Sequence, residues 1–367
     1  MWSSSLFRGP PIPRAVLPIL FTLSFISISL IIMKMRSNTS LNFTSKILRG
    51  KDEIPNQVHF VWALYDIDSE LEFAFEQYLS MYSAWFYLKP HTIYLHTNAK
   101  EAQIDRARNG SSGKWAARIF SMPGLQVKWI EAPRKTNKGV KLAYKEHISD
   151  FMRVKAVHEY GGVYIDFDVQ VLRDVAALRK SGFTAVGGRQ IDQNLNSGTF
   201  MSKKGAKMTK LWMENMHKVY NGGWTTHSNW CLTRVAESLV REPGEVLILD
   251  SKAFAPVGWN PEDAIELFGL HNETLELDMD AGLTASADDG EVKIDWTPIK
   301  SSWPLDWTAT YFLHAFTPDW NVIPVERFHG VTPHYVLSRQ SNYALATYPV
   351  VKHMYINGLV TMEDGEY

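Results

Sequence analysis

The apolar residues change their spacing within one stretch of the chain, residues 148–171. In the first half of the stretch they recur at helical intervals, around a serine that can cap a helix N-terminus. The apolar positions are Ile148, Phe151, Val154 and Val157, and the serine is Ser149. The glycines at positions 161 and 162 are expected to end this helix, because glycine adopts the left-handed C-terminal conformation at little cost.

The second half of the stretch alternates with a period of two. From Val163 to Val171 every odd position is apolar, while Asp166 and Asp168 occupy even positions. The pattern predicts one strand that carries both carboxylates on the same face, about 6.5 Å apart. Two carboxylates at this spacing repel each other, and a hard divalent cation would relieve that repulsion. The stretch therefore predicts a helix, a glycine turn and an acidic strand.

The remainder of the chain alternates between the same two element types. Further strands are predicted over residues 58–62, 92–97, 125–131, 184–189, 195–202 and 246–257, and further helices over residues 69–88, 206–220 and 226–239. Strands separated by helices indicate an α/β fold with parallel crossovers, in which ligands bind at the carboxyl ends of the strands. Trp62 lies at such an end, although a tryptophan after a strand more often belongs to the core.

An uncharged apolar run from Ala15 to Met33 predicts a membrane segment, since its length is close to the roughly 20 residues that cross a bilayer. A basic sequence rather than a small-residue cleavage site follows it, so an uncleaved anchor is favoured over a signal peptide. N-glycosylation sequons beyond the run indicate a lumenal body; they begin at Asn38, Asn42, Asn109 and Asn272. The predicted organisation is a single-pass type II protein of the Golgi or endoplasmic reticulum membrane. Its parts are a cytosolic tail (1–14), an anchor (15–33), a stem (34–52) and a lumenal domain (53–367).

Composition and charge exclude several classes of function. The chain is 45% hydrophobic and 21% charged, as expected of a globular protein, and its net charge of -1 without a long basic run argues against nucleic acid as a partner. Cys231 is the single cysteine, so no disulfide can form within the chain, and it is interpreted as a core residue. The sequence contains no dinucleotide-binding, P-loop, serine hydrolase or zinc protease motif.

The surroundings of the acidic strand carry more information than its two aspartates. The D-x-D pattern also occurs at residues 66–68 and 278–280, without comparable neighbours. Asp150 and Arg153 lie three residues apart and so share one face of the predicted helix, where they could jointly bind sugar hydroxyls. The whole arrangement, S-D-x-x-R followed by Y-G-G-x-Y-x-D-x-D, resembles the sugar-nucleotide site of glycosyltransferase family 32 and of the related glucosylating bacterial toxins.

This resemblance implies a GT-A type α/β fold with a central mixed, mostly parallel sheet. It implies that Asp166 and Asp168 are catalytic through a bound Mn²⁺ or Mg²⁺ ion. The opening I-P-x-x-x-H-x-x-W and a late histidine-to-tryptophan segment are also similar to the family, which makes His314 a third metal ligand; Asp319 stands where family members often have serine. The residues that the resemblance places at the substrate are Asp150, Arg153, Trp62, Tyr164, Asn196 and Trp320.

The function expected from the resemblance is metal-dependent, retaining transfer of a hexose, with mannose favoured, from a nucleotide-sugar donor to a glycan or sphingolipid acceptor. Alternatives stay open on the residues alone. A single histidine such as His314 is usually a hydrogen-bonded core residue, and Asn196 equally suits a turn. His227 and Glu237 are plausible lining residues, but nothing in the sequence raises them above solvated helix positions. A non-catalytic lumenal carbohydrate-binding or scaffold protein is the alternative function, whereas a phosphoesterase would need ligands for a second metal.

Overall fold

A seven-stranded sheet forms the centre of the protein in the computed structural model, which describes residues 53–272, 302–318 and 324–367. Its strands are β1 (Gln57–Trp62), β2 (Thr92–Thr97), β3 (Leu125–Trp129), β4 (Gly162–Ile165), β6 (Ala185–Arg189), β7 (Leu195–Ser202) and β8 (Val246–Leu249). The order is β3-β2-β1-β4-β7-β6-β8, and β7 runs antiparallel to both of its neighbours while the other pairs are parallel. A separate antiparallel pair joins β5 (Val169–Val171) to β9 (Phe312–His314). The predicted α/β class with a mixed, mostly parallel sheet is confirmed.

Helices cover both faces of the central sheet. They are α1 (Phe75–Leu88), α2 (Glu101–Asn109), α3 (Lys114–Phe120), α4 (Lys145–Tyr160), α5 (Ala176–Arg179), α6 (Lys207–Val219), α7 (Cys231–Leu239), α8 (Ser251–Phe254), α9 (Pro261–Phe268), α10 (Pro333–Ser338) and α11 (Asn342–Ile356). A short π-helix, Thr226–Trp230, leads into α7. One buried cluster packs α1 and α11 against Val163 and Ile165, and the other packs α4, α6 and α7 against Tyr164. The period of two predicted for β4 thus separates the two cores.

Helix α4 begins earlier than its sequence pattern predicted. Its first residue is Lys145 and Tyr144 is the N-cap, so the prediction that Ser149 caps the helix is wrong. His147 and Ile148 are almost fully buried, and their packing extends the helix because tertiary contacts outweigh the weak preference of serine for a cap. At the other end, Gly161 ends the helix with a positive φ of 71°, as predicted.

The predicted single strand from Val163 to Val171 is wrong in one respect. The chain leaves the central sheet after Ile165, turns over residues 166–168 and enters the second sheet at Val169. The amide of Val169 donates to the carbonyl of Asp166 at 3.1 Å, which closes this turn. The alternation of apolar residues continues through the turn because β5 is also buried, and the pattern therefore could not reveal the change of partner strand.

Two other boundaries differ from the predictions. Helix α1 starts at Phe75 rather than at residue 69. Its first turn is fixed by the side chain of Gln77, which accepts from the amide of Ala74. The strand predicted over residues 246–257 ends at Leu249, because the carboxylate of Asp250 accepts from the amide of Lys252 and starts α8.

Glu53–Tyr367 forms one compact unit. The predicted anchor at residues 15–33, the stem and the acidic surface loop predicted over residues 278–289 lie outside the described residues. Within the part of the chain that the structure describes, none of the helices combines the length and the apolar character that crossing a bilayer requires.

Candidate metal centre

Three side chains that can bind a metal meet where β4 ends. Asp166, Asp168 and His314 each place one ligand atom within 4.8 Å of the others. Asp166 and Asp168 lie in the turn after β4, and the pairing of β9 with β5 sets His314 opposite Val169. The Nε2 atom of His314 lies 3.2 Å from a carboxylate oxygen of Asp168. The structure thus brings together the three residues that the sequence proposed as metal ligands.

Strand β7 passes beside these ligands and offers a glycine there. The amide of Asp166 donates to the carbonyl of Gly198 at 2.8 Å. A Cβ atom at position 198 would lie 2.7 Å from Cε1 of His314 and 2.8 Å from Oδ2 of Asp166. The ligand set can therefore close to its observed spacing only because residue 198 has no side chain. Gly198 was not predicted, since no local pattern marks which glycine of a strand faces a site.

Arg153 connects the helix to the acidic turn. Its Nη1 atom donates to Oδ2 of Asp166 and to the carbonyl of Ser197, both at 3.0 Å, and its Nη2 atom lies 3.2 Å from Asp150. Its guanidinium also stacks over the ring of Tyr164, 4.8 Å from the centroid. Asp150 and Arg153 share one helix face, as the spacing predicted, and each is only 6% exposed. They form a buried ion network behind Asp166 rather than two separate groups open to solvent.

The two aspartates differ in their electrostatic surroundings. Burial raises the pKa of Asp166 to about 6; the negative charge of Asp168 adds to the rise, while the guanidinium of Arg153 opposes it. Burial also disfavours the ionised form of Asp168, but the charge and hydrogen bond of His314 outweigh it and hold the pKa of Asp168 below its usual value. The hydroxyl of Tyr164 donates to Asp166 at 2.5 Å.

This donor set fits a divalent cation. Two carboxylates and an imidazole suit divalent ions such as manganese or zinc. The second carboxylate makes the first harder to ionise, and a bound cation would relieve that repulsion. Gly198 leaves the space between the ligands free of a side chain. The described residues therefore could hold the ion that the sequence resemblance implied.

Asn196 supports the histidine. It is fully buried, and its side-chain amide nitrogen lies 2.7 Å from Nδ1 of His314, while its Oδ1 atom accepts from the amide of Thr199. The contact holds the imidazole with Nε2 towards Asp168. The structure thus places Asn196 behind His314, away from a position where it would meet a sugar hydroxyl directly.

Trp62 lies at the carboxyl end of β1, as predicted, and is half-buried. Its ring packs 4.4 Å from that of Phe73 and edge-on to that of Phe167, the residue between the two aspartates. Trp62 therefore helps to hold the acidic turn, while part of its side chain stays exposed. Trp320, the other tryptophan proposed for the substrate, lies outside the described residues.

Two more buried groups lie near the site. His227, which the sequence offered only as a plausible lining residue, is not solvated: it is fully buried, and its Nε2 atom lies 2.8 Å from Asp150. Glu76 is buried beside Thr317, whose hydroxyl donates to it, and burial raises the pKa of Glu76 to about 8. Both residues approach the site from elements distant in sequence, so local patterns could not assign them. Cys231 is buried, as predicted.

Comparison with known proteins finds a family match over the part of the chain that carries the two aspartates. Residues 76–184 match the model of the glycosyltransferase sugar-binding region containing the DXD motif. That segment includes Asp150, Arg153, Asp166 and Asp168, and it confirms the glycosyltransferase resemblance inferred from the sequence.

A curated relative, Glucan organizing enzyme 1 of Cryptococcus neoformans var. grubii, is 25% identical over 224 residues; the match covers 57% of this chain and 56% of that protein. Among solved structures, the PaToxG glycosyltransferase aligns with 11% identity and a TM-score of 0.38, over 59% of this chain and 81% of that one. The glycosyltransferase GlyE of Streptococcus pneumoniae aligns with 12% identity and a TM-score of 0.38, over 85% and 66% of the two chains.

Proposed function

We propose that this chain, which contains the sugar-binding region of the DXD glycosyltransferases, is a metal-dependent enzyme with a GT-A type fold that transfers a hexose from a nucleotide sugar. The observation that carries the proposal is the convergence of Asp166, Asp168 and His314 within 4.8 Å, with Arg153 bonded to the first of them. An isolated D-x-D pair on the surface would have neither a third ligand such as His314 nor a buried arginine behind it.

Asp166, Asp168 and His314 would hold a divalent cation, with Mn²⁺ preferred and Mg²⁺ as the alternative. When bound, such an ion supplies positive charge to the diphosphate that leaves during transfer. The protein residues do the remaining work. Arg153 keeps Asp166 oriented and partly neutralised, and Asn196 holds the imidazole of His314. Trp62, which packs against Phe167 in the acidic turn, would lie beside the donor.

The proposal also names a donor and an acceptor class. A mannosyl donor is favoured, because mannosyl transfer is frequent in the family that the sequence resembles. The name of the relative, Glucan organizing enzyme 1, supports a glycan acceptor over a sphingolipid. We also propose retention of anomeric configuration, which follows the same resemblance and needs no dedicated protein nucleophile.

The proposed location is the lumenal side of a Golgi or endoplasmic reticulum membrane, with residues 15–33 as the anchor. The apolar run supports the anchor. Two of the predicted glycosylation sites, Asn109 and Asn272, lie in the described residues and are exposed, as an acceptor of an N-glycan must be. Glycosidase digestion of the protein from cells tests the topology, since a lumenal body would lose mass on treatment.

The test of the reaction is release of nucleoside diphosphate by the full chain in detergent. The donors are GDP-mannose, UDP-galactose and UDP-N-acetylglucosamine, each with Mn²⁺ or with a chelator. Asp168→Asn removes one ligand, and Asp68→Asn is the matched control from the exposed D-x-D pair. We expect release from one donor that requires metal, falls at least about a hundredfold in Asp168→Asn, and is unchanged in Asp68→Asn.

Two outcomes would contradict the proposal. Metal-independent release, or equal rates for Asp168→Asn and the control, would remove the metal centre from the reaction. A folded protein that binds glycans but neither binds nor cleaves any nucleotide sugar would instead support a non-catalytic carbohydrate-binding protein.

A further inference from the structure

Two exposed aromatic rings lie side by side at the start of α4. Tyr144 is 50% exposed and Trp224 is 61% exposed, and their ring centroids are 6.0 Å apart at 67° to each other. Both rings also contact the buried imidazole of His147, at 5.0 and 5.3 Å. We refer to Tyr144 and Trp224 as the aromatic platform. Large aromatic side chains held in this way on a surface commonly mark a binding site.

The platform lies on the same edge of the sheet as the metal centre. Helix α4 passes through a glycine turn into β4, so its N-terminus lies towards the end of the sheet at which β4 stops and Asp166 follows. Tyr144, His147, Asp150 and Arg153 follow one another at three-residue steps, so each lies next to the following one on the helix surface. Nine residues of helix separate Tyr144 from Arg153, which corresponds to about 13 Å along the axis.

Direct contacts connect the platform to the centre. The π-helix that begins two residues after Trp224 carries His227, whose Nε2 atom lies 2.8 Å from Asp150. The same π-helix carries Asn229, which accepts from the hydroxyl of Ser197 at 2.9 Å, and the carbonyl of Ser197 in turn accepts from Arg153. Such π-helical turns occur often at functional sites. The position of Trp224 is therefore set by the residues that surround the metal centre.

The size and chemistry of the platform favour a sugar over other occupants. A sugar ring has one apolar face that stacks on an aromatic side chain, while its hydroxyls remain in water or bond the phenol of Tyr144. A stable protein interface buries about 800 Å² on each partner, far more than two rings supply. A chain of sugars can extend from the platform towards Arg153, which lies about 13 Å further along the helix axis.

We infer that Tyr144 and Trp224 form a subsite for the acceptor glycan, which binds a sugar residue remote from the hydroxyl that is glycosylated. The inference rests on the proposed function, because it assumes that a sugar is transferred at the metal centre. It adds that the acceptor is an oligosaccharide long enough to reach both places.

Binding is tested without any donor, so that it does not depend on catalysis. The full chain in detergent is mixed with mannotriose or laminaritriose, and saturation-transfer NMR gives the Kd. Trp224→Ala and Tyr144→Ala remove the platform, and Tyr355→Ala removes an aromatic residue of similar exposure (44%) on α11. We expect the Kd of at least one trisaccharide to rise about tenfold in the platform variants and to stay unchanged in Tyr355→Ala.

A second measurement separates this inference from the proposed function. Hydrolysis of the donor without acceptor, and its dependence on Asp168, should be the same in Trp224→Ala as in the unchanged protein. The subsite would be overturned if the trisaccharides bind Trp224→Ala as well as the unchanged protein, or if they do not bind the unchanged protein. Either result would count even if donor cleavage depends on Asp168. Trp224-dependent binding to phosphatidylcholine vesicles in place of trisaccharides would overturn it in favour of a lipid surface. If the donor is not cleaved while the trisaccharides still bind and their binding depends on Trp224, only the proposed transferase activity is refuted.

Discussion

Two clusters of buried polar side chains occupy the two ends of β4, and they differ in whether their hydrogen bonds stay within the protein. At the amino end, Nδ1 of His59 lies 2.9 Å from Nε2 of His96, and Nε2 of His59 lies 2.7 Å from the carbonyl of Gly161. Burial lowers the pKa of His59 to about 4 and that of His96 to about 3, so this histidine pair is neutral at pH 7.

At the carboxyl end of β4, the network stays charged and incomplete. Arg153 is shared between Asp150 and Asp166, and Asp168 adds a further carboxylate beside His314. The side chain of Asp168 is 37% exposed, so its remaining acceptor positions face outward. The difference shows that burial of polar groups does not by itself identify a functional site. Like charges held together beside an opening do identify one, because their repulsion does not stabilise the fold.

The largest effect is expected from breaking the charged network. Arg153→Ala leaves Asp150 and Asp166 buried without their cation, and the free energy of unfolding should fall by about 3–5 kcal/mol in urea denaturation. Arg108→Ala, which removes an exposed ion pair with Asp105, should cost under about 1 kcal/mol. A cost for Arg153→Ala as small as that of Arg108→Ala would show that the network is not needed for folding.

The histidine pair should make the protein acid-sensitive. The pKa of His59 in the folded protein, about 4, lies below the unfolded value of 6.5, so the unfolded chain binds more protons between these pH values. The stabilisation is complete above pH 6.5 and should fall by about 3 kcal/mol as the pH drops to 4. Unfolding measured across this range in the unchanged protein and in His59→Gln checks the contribution. Equal pH slopes in the two proteins would exclude His59 as its source.

Gly198→Ala should disturb the metal centre more than the fold. The added Cβ would push on His314 and Asp166, and overpacking of this kind costs about 1–3 kcal/mol. Displaced ligands should lower the affinity for Mn²⁺ at least about tenfold, measured by calorimetry. In Gly187→Ala on β6 the Cβ would meet only the flexible end of Leu195, and Mn²⁺ affinity should be unchanged. Unaltered Mn²⁺ binding in Gly198→Ala would place the ion elsewhere.

The smallest effect is expected at the other described D-x-D pair. Asp68 forms an ion pair with Lys100 at 2.6 Å, but the two side chains are 76% and 57% exposed, and water screens them. Asp68→Asn should change the free energy of unfolding by less than about 1 kcal/mol, with a loss that shrinks further at high salt. A larger, salt-independent loss would mean that exposed acidic pairs also stabilise this fold and would weaken the contrast with Asp166 and Asp168.

The parts of the site that follow from local geometry could be predicted from the sequence. Asp150 and Arg153 meet because residues three apart share a helix face, and Asp166 and Asp168 fall in the acidic stretch that follows the glycine turn. His314 could be assigned only through the family resemblance, because its approach depends on the pairing of β9 with β5. Gly198 could not be assigned, and His227 could be named only as a plausible lining residue, since each reaches the site through long-range contacts.

The fold shows the same division. Most strands of the central sheet match the predicted segments, because a buried strand can be recognised from its own apolar residues. The change of sheet after Ile165 was missed, because β5 is as apolar as β4 and the information lies in their different partners, β9 and β7. The start of α4 was missed because packing of His147 and Ile148 extends the helix beyond its capping signal.

The shortness of β4 also limits how the gene can change. The strand has 4 residues, and contacts fix both of its ends: the carbonyl of Gly161 bonds His59, and the amide of Asp166 bonds Gly198. A side chain at position 162 would also come within 2.5 Å of the carbonyl of Gln57. Because successive side chains point to opposite faces, a one-residue insertion or deletion here would turn the acidic residue away from His314. Length variation should therefore be tolerated in the segment before Tyr144 and rejected between Gly161 and Asp166.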